Sequence, residues 1–149
     1  MPDYHVTLSW ARTTPDFSYE NYSRSHTLRT GGGVVLPASS APEFLGDSDR
    51  VNPEESLIGA LSSCHMLTFL AVAARKKWVV DSYVDEVTGT LAKNAEGRLA
   101  VTQITLRPKV VFAGQGPSTE ELQKLHEAAH RGCFIAASIR SDVAIEPSL

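Results

Sequence analysis

The segment from Asn52 to Lys77 constrains this chain most, because its two ends carry opposite helix signals and everything between them suits one long helix. Asn52 can cap, Pro53 fits the first helical position, and Glu54 and Glu55 face the positive end of the helix dipole. Arg75, Lys76 and Lys77 stand where the negative end favours cations. Between them Leu57, Ile58, Leu61, Cys64, Leu67, Thr68 and Val72 recur at helical spacing. Met66, Phe69 and Leu70 widen the apolar face, so burial on more than one side is predicted. The longest apolar run, Met66 to Ala74 interrupted by Thr68, is too short to span a bilayer. No membrane association is expected.

β-leaning segments flank this helix. Tyr4 to Trp10, Tyr22 to Leu28 and Val34 to Leu36 alternate or follow glycine turns and read as antiparallel strands. Pro37 to Val51 reads as an irregular connection. Val79 to Ala92 and Arg98 to Phe112 read as two long strands joined by a turn at Lys93 to Gly97. In the second, Ile104, Leu106, Pro108, Val110 and Phe112 share the dry face, and Pro108 demands an edge or a bulge. Ser118 to Glu121 form a capping box for a second helix through Leu122, Leu125, His126 and Ala129. Gly132 ends it, Cys133 opens a short helical turn over Phe134 to Ile139, and a last strand lies around Val143 to Ile145. The class is α+β, and 149 residues suit one domain.

Charge excludes one large class of partners. With 14 basic against 17 acidic residues there is no positive field to draw the chain to phosphate backbones, so no nucleic acid is expected. The amino terminus lacks a secretory pattern, which places the expected site of action in the cytoplasm. Two cysteines, far apart and without a Cys-x-x-Cys pair, argue against structural zinc. They read as a structural pair, two inert buried thiols or a redox couple, and composition does not choose.

Redox work would require Cys64 to be a thiolate, whereas a free thiol is mostly protonated at neutral pH. Cys64 lies about three turns into its helix, beyond the reach of that helix's own amino-terminal dipole, so a cationic side chain from elsewhere is expected to lower its pKa. Cys133, at a helix break with outward-pointing N–H groups, suits a thiol that moves and condenses with a sulfenic acid.

These residues resemble a known family. Asn52-Pro53-Glu54-Glu55-Ser56-Leu57 running into Cys64 is similar to the helix that carries the first active-site cysteine in the osmotically induced protein C and organic hydroperoxide resistance family. His130-Arg131-Gly132-Cys133 resembles the family's second cysteine region. Two departures are Phe134, where members commonly have Pro, and His65 directly after the first cysteine.

The resemblance implies an OsmC-like fold, with antiparallel sheets around a central cysteine-bearing helix in an intertwined homodimer. It implies a thiol-dependent peroxidase in which Cys64 attacks a hydroperoxide and Cys133 resolves the sulfenate as a disulfide. The disulfide is then reduced by an external dithiol, lipoyl-type reductants included, with no metal or organic cofactor. An arginine and a glutamate assist the first cysteine: Glu54 matches by motif position, Arg24 is the best-placed arginine and Arg29 the second choice. Glu54 lies about 15 Å from Cys64 along a straight helix, so assistance would come through a long arginine or from the other subunit.

The alternative to an enzyme is a binding protein of the same fold that holds a hydrophobic ligand, or a stress-induced dimer with little turnover. His65 is expected not to face Cys64, since adjacent helical positions point about 100° apart. His126 and His130 are expected on an ordinary helix face, and Trp10 and Trp78 as packing anchors.

Overall fold

In the computed structural model, which describes residues 1–148, the early alternating segments pair as a meander. Strands β1 (Val6–Ser9), β2 (His26–Thr30) and β3 (Val35–Ala38) run antiparallel in that order, with Leu8 opposite Leu28 and Leu28 opposite Leu36. Gly33, at φ 87°, supplies the left-handed residue of the β2–β3 turn. β2 starts later than the alternation predicts. The guanidinium of Arg24 donates to the carbonyls of Tyr22 (2.7 Å) and Tyr19 (2.6 Å), which folds the chain into a turn before His26.

Within the connection predicted as irregular, Pro42–Phe44 form one 3-10 turn, and Ser39 N–H bonds to Val51 O at 3.0 Å. Gly46 is required there, since a Cβ would lie 1.7 Å from the Ser40 carbonyl oxygen. The chain packs as two compact units, Met1–Ser56 and a second from Leu57 onward.

Helix α1 (Pro53–Arg75) starts as its sequence dictates. Asn52 Oδ1 accepts from Glu55 N–H (2.8 Å), and Glu55 Oε2 accepts from Asn52 N–H (3.3 Å), a reciprocal cap. Its 23 residues are long and apolar enough by composition to match a bilayer, a correction to the reading made from the Met66–Ala74 run alone. The buried residues nevertheless form one stripe, Leu61, His65, Phe69 and Ala73, one per turn, as on a core helix. Burial on more than one side, expected from the sequence, is not seen within the chain. Leu67 is 59% exposed.

The two long β segments each divide. β4 (Val80–Asp85) pairs with β7 (Pro108–Phe112), and β5 (Thr88–Lys93) pairs with β6 (Leu99–Leu106) around the predicted turn, where Gly97 has φ 76°. Pro108 stands at the break. It donates nothing, and the preceding N–H, that of Arg107, is taken by Asp85 Oδ1 at 2.6 Å. Strand β8 (Asp142–Ile145) joins β6 in parallel.

Helix α2 (Thr119–Gly132) begins with the capping box of Ser118 and Glu121 and is followed by α3 (Phe134–Ser138). Two apolar clusters hold the second unit together. One contains Leu61, Ile104, Leu106 and Cys133, with Cys64 packed against it; the other contains Phe69, Ala73, Leu125 and Ala129.

Candidate active site

Cys64 projects from the start of the fourth turn of α1, and Cys133 serves as both the last cap of α2 and the first of α3. Cys133 Sγ accepts from the Ala136 N–H at 3.4 Å, as a capping side chain does. The fold packs Cys64 against the apolar cluster that contains Cys133, and the two cysteines are free, not joined as a disulfide.

Their environments differ in sign. Burial is the largest influence on Cys64 and pushes its pKa up. The Ile135 N–H, the Cys133 thiol, the Phe134 N–H and the Thr68 hydroxyl together outweigh it, so the Cys64 thiol lies below its ordinary range. Cys133, 1% exposed, is pushed up by burial, opposed by the Ala136 N–H and reinforced by the neighbouring Cys64 sulfur. The cation expected beside Cys64 is not among the groups that shift its pKa. N–H groups at the start of α3, far along the chain, already lower its pKa.

Cys64 opens into a groove of about 780 Å³ whose walls, Ala60, Leu67, Ala71, Phe134 and Ile135 among them, are mostly hydrocarbon, with Arg75 as the cationic residue of the lining. Phe134 is 82% exposed beside it.

Within the first unit, Arg24 is held by the two tyrosine carbonyls, with its guanidinium 3.9 Å from the Tyr22 ring centroid and 5.1 Å from that of Tyr19. It lines a cavity of about 440 Å³ with Leu8, Trp10, Phe17, Tyr22 and His26. Trp10, expected only as a packing anchor, is therefore a cavity wall. Glu54 is half-buried with Oε2 lacking a protein partner, and no Arg24–Glu54 ion pair forms among the described residues. Arg29 lies exposed on β2, opposite Thr7 and Val35.

The histidines depart from expectation. His126 is not on an ordinary helix face but 2% exposed, and its Nδ1 lies 3.1 Å from Nε2 of His65, which is 0% exposed. Burial, then the charge of His130, against a weaker pull from Asp85, takes His65 down to about 4. Burial and then His65 take His126 down to about 4, so both rings are neutral near pH 7. The available signal was that His65 continues the Leu61–Phe69–Ala73 stripe. Among the described residues no three histidine, cysteine or carboxylate side chains gather as a metal site.

Known proteins share the sequence pattern and the fold. Residues 46–148 match the OsmC-like protein family. An OsmC-like protein of unknown function from Vibrio cholerae is 40% identical, with a TM-score of 0.96 over 99% of this chain and 100% of its own. The uncharacterized protein YmaD of Bacillus subtilis is 25% identical over 98% of this chain and 93% of its own length. The organic hydroperoxide resistance protein OhrB of Bacillus subtilis, 20% identical, shares the fold with a TM-score of 0.71 over 98% of each chain. The family match covers most of the residues and the Vibrio protein is alike over nearly all of them: the chain belongs to the OsmC-like protein family.

Proposed function

We propose that the chain is a thiol-dependent peroxidase that reduces organic hydroperoxides at Cys64 and resolves the product with Cys133. The asymmetry of the thiol pair carries this reading: the less buried sulfur, Cys64, has its pKa lowered, and the buried Cys133 beside it has its pKa raised. The Cys64 thiolate attacks the terminal oxygen of the hydroperoxide, the O–O bond breaks, and the leaving alkoxide takes a proton to become the alcohol. Cys64 is then a sulfenic acid. Condensation with the Cys133 thiol forms the disulfide and releases water. An external dithiol, for which lipoyl-type compounds are candidates, returns both thiols by exchange.

The apolar groove favours alkyl and aryl hydroperoxides over hydrogen peroxide. Solved structures of the same fold, from Bacillus subtilis and Elizabethkingia anophelis, carry the name organic hydroperoxide resistance protein. Arg24 and Glu54 keep the assisting roles that the family resemblance implies, and exposed Leu67 and Phe134 support a homodimer. The reading sets the enzyme in a reducing cytoplasm. The aromatic cavity of the first unit favours, as a second reading, the holding of a hydrophobic ligand.

Consumption of cumene hydroperoxide with a dithiol, compared among wild type, Cys64→Ser and Cys133→Ser, separates the two readings. Loss of turnover in Cys64→Ser is expected. Equal rates in all three chains would refute the peroxidase.

A further inference from the structure

We propose that the hydrogen bond between His65 and His126 is a positioning clamp that fixes α1 against α2 so that Cys133 meets Cys64. The proposal rests on reading the two cysteines as a redox pair.

The bond is placed where register matters. His65 directly follows Cys64 on α1, and α2, which carries His126, ends at Gly132 and hands the chain to Cys133. Around it the helix contact is otherwise apolar, through Phe69, Ala73, Leu125 and Ala129. Apolar contacts are non-directional and tolerate sliding and rotation. A ring-to-ring hydrogen bond of 3.1 Å between two buried imidazoles does not, since its strength falls steeply with distance and angle. The second nitrogen of each ring, Nδ1 of His65 and Nε2 of His126, already has no protein partner. A slipped register would orphan two further buried nitrogens, which opposes slipping.

A second contact marks the same registration. A Cβ on Gly132 would lie 3.0 Å from Thr68 Cγ2, so the absent side chain lets α2 close onto α1 one turn from Cys64. Disulfide closure has little tolerance, with Cβ atoms about 3.8 Å apart and Cα atoms within about 7 Å. A helix shift of about 1 Å is therefore large for the thiols, although an apolar interface would absorb it. His65 and His126 are positioning residues in this account and touch no reacting atom.

The test is the thiol–disulfide equilibrium of the full chain with glutathione, in which one oxidised glutathione yields the Cys64–Cys133 disulfide and two reduced glutathiones. Stability is measured in parallel. His65→Leu and His126→Leu are expected to lower the equilibrium constant on the order of 10- to 100-fold, because a disulfide closed across a slipped register stores strain and is more easily reduced. His65→Gln sets an amide nitrogen where Nε2 stood and His126→Asn an amide where Nδ1 stood, so both should stay within a few-fold of wild type.

A merely structural role would lower the stability of the leucine variants and leave their equilibrium constants unchanged. That result overturns the clamp, as would Gln and Asn variants falling as far as Leu. Gly132→Ala gives a readout that touches neither ring: pressing on Thr68, it should lower the constant about tenfold by straining the disulfide, and no change would sever register from thiol pairing. If the wild type fails to consume hydroperoxide, the peroxidase reading falls, while this equilibrium still decides the clamp.

Discussion

Two neutral imidazoles sealed in the core make stability depend on pH in a window where few other groups titrate. Both His65 and His126 are held down to about 4 in the folded chain, against about 6.5 in an unfolded one. Because the folded values are the lower ones, the unfolded chain binds more protons as pH falls. Stability is complete above the unfolded pKa, is lost as pH falls from about 6.5 toward about 4, and is insensitive to these groups below that.

Integrating over this window gives a loss of about 2 kcal/mol for one ring between about pH 7 and about pH 5, and the pair loses more than one ring but less than twice as much, since part of the His126 depression is repulsion by His65. That is a large part of the roughly 5–15 kcal/mol that holds a domain together. Asp85 is the carboxylate that pulls the other way on His65, and His130 adds to the depression. Urea unfolding midpoints across this range would be measured for wild type and for His65→Gln/His126→Asn, whose amides do not titrate. The difference between the two profiles isolates the pair from every carboxylate. Parallel profiles between about pH 7 and about pH 5 would refute the claim that both rings are buried neutral.

Other consequences are quicker to check. Iodoacetamide should modify Cys64 well before Cys133 in the folded chain, by peptide mass mapping, because only Cys64 is both accessible and favoured as thiolate. Gly46→Ala should destabilise by about 1–3 kcal/mol in thermal unfolding, since the new methyl meets the Ser40 backbone. Leu67→Glu/Phe134→Glu should shift the sedimentation coefficient toward monomer if the exposed apolar face of the α1 groove joins two copies.

Much of this architecture is written locally. The Asn52–Glu55 and Ser118–Glu121 caps are short-range hydrogen-bond patterns and appear where the residues place them. Gly132 and Cys133 mark a real helix break. The misreadings share a different cause, hydrogen bonds between side chain and backbone that hydrophobic periodicity does not encode. Tyr22 to Ser25 alternate like a strand, but the Arg24 side chain turns them by gripping Tyr19 and Tyr22. The long β segments divide because Asp85 captures the Arg107 N–H ahead of Pro108.

Within the site, each cysteine context was legible and their encounter was not, because α2 alone decides where Cys133 arrives. The hydrogen bonds that lower the Cys64 pKa come from Phe134 and Ile135, beyond any local reading. His65 and His126 both fall on the buried stripe of their helix, but their polarity hid the signal, and the packed interior shows them as core.

The central claim is that Cys64 is oxidised first and Cys133 closes on it. Mass spectrometry after one equivalent of cumene hydroperoxide addresses this directly. The account predicts a Cys64–Cys133 disulfide in the wild type, a dimedone-trapped sulfenic acid on Cys64 in Cys133→Ser, and no oxidation of Cys133 in Cys64→Ser. Wild-type rates of peroxide loss in Cys64→Ser, or a wild type oxidised without the disulfide, would contradict it.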